Sequence, residues 1–325
     1  MQQKNLFYKE FCTLHYILEN ARSILIVPHD SPDLDAVGSA VALSEFIQLN
    51  YAASTTIACH DILPESLNNI MPDIIFHHPD KIDLQTFDVI IGCDSIERGF
   101  HRIITGITDE CVTVAIDHHH DISLTTDLQM IDSHYAATCE IIFRFIEHTK
   151  KPYSKKVATA LLAGIIGDTG AFQHANTTAE ILQMSADLIK KGASITKIMS
   201  TLYANRKIET LNLWGKALER TRYFSDTGLA VTAITEDGIN NHEINSAEIS
   251  NIASMLTTVP SIKAALIIYQ AEKNLIKGSL RAEKYANIDV SAIAHTLGGG
   301  GHKLASGFSI PGRIESTTDG GWRVV

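Results

Sequence analysis

Four apolar runs in the first 170 residues each give way to aspartate where a parallel strand or a buried helix would end, and this repetition restricts the fold more than any other feature. "ILIV" leads into His29, Asp33 and Asp35, "VIIGC" into Asp94, "VTVAI" into Asp117 and "DHHH", and "LLAGIIG" into Asp168. Near-continuous aliphatic strands are buried on both faces, and helical patterns between them read as crossovers. The spacing therefore predicts an α/β fold with a doubly wound, mainly parallel sheet. In such a sheet ligands bind beyond the carboxyl ends of the strands, so these acidic residues would share one crevice.

Strands are expected at 23–27, 54–59, 88–94 and 112–117, with a helix at 36–49 whose entry falls near Gly38 and Ser39. "ATCEIIFRFIEHTK", "KKVATALLAGIIG" and "TTAEILQMSADLIKKG" read as helices, the last with Thr at its start and Gly192 at its end as caps. The chain divides into a domain over 1–190, a helical linker over 191–213 and a smaller mixed α/β domain over 214–325. The second domain has strands at 229–235, 263–270 and 275–282, helices at "SAEISNIASMLTT" and "VSAIAHTL", and a tail that ends as a hairpin or frays.

Composition narrows the class. With 45% hydrophobic and 20% charged residues the 325-residue chain is an ordinary globular protein. No apolar run approaches the ~18 residues of a membrane span, and "MQQKNLFYKEFC" lacks the basic and apolar segments of a signal peptide, so a cytoplasmic protein without membrane association is expected. The five cysteines lack CxxC spacing, which disfavours a disulfide framework or a thiolate zinc site and makes them reduced, mostly buried small residues. A net charge of −10 argues against a broad duplex nucleic-acid surface, which needs clustered Lys and Arg.

Two carboxylates ~4 Å apart repel by roughly 4 kcal/mol at an effective dielectric near 20, so a bare cluster of four would protonate or destabilise the fold. Divalent cations relieve that cost. Carboxylate and imidazole donors suit Mn, Fe, Co, Zn or Mg, and two metals bridged by one carboxylate would activate water and clamp a phosphate. A lone aspartate after a strand is more often a helix N-cap, and Asp30 and Asp132 are read that way, Asp30 also as a local turn or supporting residue. Taken alone, "DHHH" is more often a solvated turn and a glycine tract more often a linker. Repetition at successive strand ends is what favours ligands. His174, six residues past Asp168, is intermediate, and His77, His78, His101, His134, His148, His242 and His295 are read as surface or core residues.

With those residues in view, the chain resembles the DHH/DHHA1 phosphoesterases, in particular the group of nanoRNases and pAp phosphatases. "HDSPDLDAVGS", "DVIIGCDS", "DHHH" and "GIIGDTGAF" are similar to the family's first four motifs in order, and "GGGGHKLASG" to the glycine-rich signature of the DHHA1 domain. The resemblance implies that His29, Asp33 and Asp94 hold one metal and Asp35, Asp94, His118 and Asp168 the other, with Asp94 bridging and Mn²⁺ the usual ion, Mg²⁺ or Co²⁺ being alternatives. It implies that Asp117 orients its neighbours, that His119 faces the substrate phosphate, and that Arg281, Gly299, Gly300, Gly301 and His302 contact the nucleotide. Leu34 departs from the small residue usual there, and its side chain is expected to point away from the metals. The expected reaction is hydrolysis by metal-activated water of short oligoribonucleotides to mononucleotides, or of 3′-phosphoadenosine 5′-phosphate to AMP, by a protein that could pair as a homodimer. Alternatives are hydrolysis of cyclic-di-AMP or linear dinucleotides, a RecJ-like single-strand exonuclease, a family II pyrophosphatase, and a non-catalytic nucleotide-binding module.

Overall fold

A computed structural model describes residues 7–61, 63, 67–108, 110–119, 124–203, 208–235, 246–283, 286–318 and 321–325, with the side chains of residues 68, 97, 98, 203, 246–248, 250 and 302 outside the described set. His120, the last residue of "DHHH", and His242 lie outside the described residues. The chain splits into two compact units, Met1–Asn205 and Arg206–Val325.

The first unit opens with α1 (Tyr8–Asn20), then β1 (Ser23–Pro28), α2 (Leu34–Asn50), β2 (Ser54–Ala58), a single turn α3 (Leu67–Ile70), β3 (Phe76–His77) and β4 (Val89–Cys93). It continues with α4 (His101–Ile104), β5 (Val112–Asp117), β6 (Leu128–Ile131), α5 (Thr138–Thr149), α6 (Lys155–Asp168), α7 (Ala179–Lys190) and α8 (Ile195–Tyr203). Six parallel strands run in the order β3-β2-β1-β4-β5-β6. The order reverses between β1 and β4, and the gap beyond their carboxyl ends is where a doubly wound sheet binds its ligand.

Burial explains why these strands read as continuous aliphatic runs. Ile24 and Ile26 of β1 lie in the core that includes residues of α1, α2, α5 and α6, while Leu25 and Val27 lie in a second core with Phe100 and Ile103. Both faces are covered, so the alternation of a half-exposed strand has no place in β1. Short β3 and alternating β6 (buried, exposed, buried, intermediate) lack that signature, which is why the sequence did not announce them.

The approach of α2 to α6 depends on two glycines. A Cβ at Gly38 would lie 2.5 Å from the Ala160 carbonyl oxygen, and one at Gly164 would lie 2.3 Å from Cys139 Sγ and 2.8 Å from Asp35 Oδ1. The sequence placed the start of α2 near Gly38, but the helix begins at Leu34, so Asp35 sits in its first turn. Asp33 is the N-cap, its Oδ1 accepting the Asp35 and Ala36 N–H groups at 3.0 and 3.1 Å. Neither Asp30 nor Asp132 caps a helix: Asp30, for which a turn or supporting role was the other expectation, pairs with Arg102 and His60, and Asp132 accepts the backbone and ring N–H of His134 at 2.9 and 2.7 Å.

The second unit contains α9 (Ile208–Glu219), β7 (Arg222–Phe224), β8 (Leu229–Ile234), α10 (Ser246–Thr257), β9 (Ala264–Glu272), β10 (Leu275–Ala282), α11 (Val290–Thr296), β11 (Gly300–His302), β12 (Ala305–Pro311), β13 (Ile314–Ser316) and β14 (Trp322–Val324). Its sheet runs β11-β12-β10-β9-β8-β7 and is antiparallel except for β8 with β9, and the tail forms the β13–β14 hairpin. The segment expected as a helical linker, 191–213, carries α8 and the start of α9. Ile198 of α8 is buried in the first unit, and Leu213 and Ala217 of α9 are buried in the second. The cysteines are all free, with Cys12 exposed and the other four buried. Among the described residues no helix is long and apolar enough to cross a membrane.

Candidate metal centre

His29 follows β1 and is almost fully buried, and its Nδ1 lies 2.6 Å from the Asp30 carbonyl oxygen. A carbonyl only accepts, so Nδ1 carries the proton and Nε2 presents its lone pair. That Nε2 lies 3.6 Å from Asp33 Oδ2 and 3.6 Å from Asp94 Oδ2. Asp33 thus divides its carboxylate, one oxygen capping α2 and the other facing His29.

Asp94, immediately after β4, has a left-handed backbone (φ 56°), a conformation uncommon for a residue with a Cβ. Its N–H is anchored on the Ile116 carbonyl at 2.9 Å, and its two oxygens face different partners. Oδ2 faces His29, while Oδ1 is 3.6 Å from His118 Nε2 and 3.1 Å from His119 Nδ1. His118 Nε2 in turn lies 3.0 Å from Asp168 Oδ2 and 3.9 Å from Asp35 Oδ2. Among the described residues three groups of potential ligand atoms result, the atoms of each within 4.8 Å of one another: His29 with Asp33 and Asp94, Asp35 with His118 and Asp168, and Asp94 with His118 and His119. Asp117 belongs to none of these; its Oδ1 accepts the backbone and ring N–H of His119 at 2.9 and 2.8 Å.

Asp35, fully buried, is held by two donors the sequence did not reveal. The first N–H groups of α5, from Thr138 and Cys139, donate to its carboxylate at 2.6 and 2.9 Å. Ala137, the N-cap of α5, offers no side-chain acceptor, so the carboxylate of Asp35 fills that role from a distant part of the chain. Thr138 also donates its hydroxyl to Asp94 Oδ1 at 3.3 Å, and so touches both carboxylates. Its position inside an amphipathic helical pattern gave no sign of this; only the missing N-cap before α5 was a clue.

Charge in the site is out of balance. Burial, then the charges of Asp168 and Asp94, push Asp35 well above the carboxylate range, and burial lifts Asp168 to about 6 against the hydrogen bond from His118. Burial pulls His118 and His119 down, but hydrogen bonds to Asp168 for the first, and to Asp117 and Asp94 for the second, raise them to about 10 and 9. Carboxylates this close repel by about 3–4 kcal/mol per pair even at an effective dielectric of 20. Protons occupy such sites only in default of a cation, because metal ligands must be deprotonated. The donor set therefore fits divalent metal: His29, Asp35 and Asp94 are buried, His118, His119 and Asp168 partly buried and Asp33 exposed, and there is no thiolate among the three groups.

The Leu34 side chain lies against Gly167, where a Cβ would approach Leu34 Cβ to 2.9 Å. His174 is exposed, and its ring bonds the backbone carbonyl of Asp168 at 3.2 Å, as the Asn176 amide does at 3.2 Å; both fasten the end of α6 without reaching a ligand oxygen.

In the second unit the glycine tract is structured. Gly298 (φ 73°) and Gly299 donate to His295 and Ala294 at 3.1 and 2.9 Å, closing α11 in a Schellman turn. Gly300 and Gly301 enter β11. Gly299 has no room for a side chain, since a Cβ would sit 2.1 Å from the Gly307 carbonyl oxygen. Ala305 is registered with Arg281 on one side and His302 on the other, so these two residues flank it in one row of the sheet. Burial lowers the Arg281 pKa, and its Nη1 donates to the Leu280 carbonyl at 3.4 Å. The His302 side chain lies outside the described residues.

The model of the DHH family, N-terminal domain, matches residues 23–165, and that of the DHHA1 domain matches residues 226–319. The chain is a DHH–DHHA1 protein. The bifunctional oligoribonuclease and PAP phosphatase NrnA of Bacillus subtilis is 28% identical to this DHH–DHHA1 chain over 298 residues, covering 89% of each. Among solved structures, an exopolyphosphatase-related protein from Bacteroides fragilis superposes with a TM-score of 0.85 at 22% identity, covering 94% of this chain and 92% of the other. RecJ of Thermus thermophilus, determined in complex with Mn²⁺, gives a TM-score of 0.53 at 14% identity, covering 94% of this chain and 52% of RecJ. These two share the fold, and the curated relative points to hydrolases acting on phosphate esters.

Proposed function

We propose that this DHH–DHHA1 protein is a divalent-metal-dependent phosphoesterase that hydrolyses short oligoribonucleotides to mononucleotides, 3′-phosphoadenosine 5′-phosphate to AMP, or both. The observation that carries the reading is Asp94, whose Oδ2 faces His29 at 3.6 Å while its Oδ1 faces His118 at 3.6 Å, so that one carboxylate serves two ligand groups. His29, Asp33 and Asp94 would hold one ion, and Asp35, Asp94, His118 and Asp168 the second. Mn²⁺ is our assignment, since mixed imidazole and carboxylate donors suit it, with Mg²⁺ and Co²⁺ compatible with the same atoms. When bound, such a pair supplies charge for the phosphoryl oxygens and lowers the pKa of water towards neutrality.

The chain's own residues do the positioning. The Asp30 carbonyl keeps the proton of His29 on Nδ1, and Asp117 fixes the ring of His119 through its Nδ1 at 2.8 Å. We assign the other ring nitrogen of His119 to a substrate phosphate oxygen. Thr138 and the N-terminus of α5 hold Asp35 and Asp94 in place before substrate arrives, so little reorganisation is left for the reaction. Arg281 and the segment Gly299–His302 are assigned to the nucleotide's terminal phosphate or base, an assignment supported by Arg281 and His302 flanking Ala305 in one row of the sheet. Guanidinium groups bind phosphate through paired donors, which suits Arg281 to that task.

The test compares kcat/KM for di-, tri- and pentaribonucleotides with that for 3′-phosphoadenosine 5′-phosphate, in the parent and in His302→Ala. The expected outcome is metal-dependent release of mononucleotide or phosphate from at least one of them, with His302→Ala raising KM more than it lowers metal content. No turnover of any of these substrates would overturn the proposal, and loss of metal in step with activity would move His302 out of the substrate site.

A further inference from the structure

The turn that carries His29 is gripped from outside the metal centre. Asp30 Oδ2 pairs with Arg102 Nη2 and Oδ1 with His60 Nδ1, the latter at 3.1 Å. The next residue, Ser31, has a left-handed backbone (φ 52°), and both its N–H and its hydroxyl donate to Asp61 Oδ2, at 2.6 and 2.8 Å. Gly99, itself at φ 113°, closes the space beside Asp30: a Cβ there would lie 2.7 Å from Asp30 Oδ2. Two consecutive residues of the β1 loop are thus fixed by the segments that follow β2 and β4.

The Arg102 side chain is 51% exposed and that of Asp30 27%, so their ion pair contributes little to global stability. Its geometric consequence is larger. The Asp30 carbonyl cannot turn away from His29 without rotating the peptide between Asp30 and Ser31, and both ends of that peptide are tied down. We infer that Arg102 and His60 are positioning residues, which clamp the Asp30 carboxylate and through its carbonyl hold His29 in the tautomer that offers Nε2 to the metal. The inference rests on the metal-centre reading above and goes beyond it, since neither residue belongs to a ligand group or to any motif the sequence singled out. Partners that orient a metal-binding imidazole commonly change metal affinity 10- to 100-fold when removed.

The test uses the whole chain and Mn²⁺ alone as probe. Arg102→Ala should bind the first Mn²⁺ or the second about tenfold more weakly than the parent by calorimetry, with Arg102→Lys recovering most of the loss. In the metal-free, ¹⁵N-histidine-labelled protein, the His29 ring should show the Nδ1–H pattern in the parent and a mixture of tautomers in Arg102→Ala, while the thermal midpoint moves little. Asp30→Asn provides a second variant; if it fails to fold, Arg102→Ala, which removes only a half-exposed side chain, decides the matter. Parent-like Mn²⁺ affinity together with an unchanged His29 tautomer in Arg102→Ala would overturn the clamp. Absence of Mn²⁺ binding by the parent would overturn the metal-centre reading instead, and the tautomer spectrum would still report on the clamp.

Discussion

At the scale of single residues, Asp94 and Thr138 decide most of the geometry. Asp94 is the carboxylate with an oxygen towards each side of the centre, and Thr138 Oγ1 is one of the donors that fix its orientation, at 3.3 Å. Replacing Asp94 with Ala should lower kcat/KM by about 10²- to 10³-fold or more, the scale of losing a central electrostatic element of a site. It should also weaken binding of both metals; retention of two tightly bound ions would show that the shared-ligand assignment is wrong. Thr138→Val keeps the shape and the backbone N–H to Asp35 but deletes the hydroxyl. A loss of about tenfold in metal affinity is expected, with Thr138→Ser close to the parent. Equal behaviour of Val and Ser would reduce Thr138 to a helix-start residue.

At the scale of elements, the contact of α2 with α6 is where packing and chemistry meet. Gly164 keeps Cys139 Sγ and Asp35 Oδ1 close to the α6 backbone, and a Cβ there would fall 2.3 and 2.8 Å from them. Gly164→Ala should therefore destabilise the protein by about 1–3 kcal/mol through overpacking, and should weaken metal binding at the same time because Asp35 must move. Gly215 in α9 is the matched control: nothing lies within 4 Å of its Cβ position, so Gly215→Ala should stabilise by roughly 0.5–1 kcal/mol from helix propensity alone. Thermal melts with and without Mn²⁺ read both effects. A Gly164→Ala protein with unchanged metal affinity would mean that Asp35 is held by the start of α5 independently of α6. The glycine tract teaches the same lesson at the other end of the chain. Its first two N–H groups close α11, so the helix stop and the candidate phosphate segment are one stretch of sequence.

At the scale of the whole molecule, what could be read from sequence follows what periodicity and local spacing encode. Strands β1, β4 and β5 are buried on both faces and declare themselves as aliphatic runs; β3 has two residues and β6 alternates, and neither did. Asp33, Asp35, Asp94 and Asp168 were readable because each follows an apolar run, strand or helix, whereas His29 and His118 were singled out as ligands by the family resemblance; the structure gathers all six into overlapping groups. Asp33 as a cap with a second oxygen to spare, Thr138 under Asp94, and Arg102 on Asp30 were not readable, because each depends on a three-dimensional neighbour that leaves no local pattern. In the proposed reading, two cations sharing Asp94 would make this centre hydrolytic. The most direct measurement strips the protein with chelator and follows hydrolysis of a short oligoribonucleotide and of 3′-phosphoadenosine 5′-phosphate while Mn²⁺ is titrated back. No turnover is expected in the stripped protein, with recovery that saturates at two bound ions per chain; turnover that persists without metal, or that saturates at a single ion, would contradict a two-metal site.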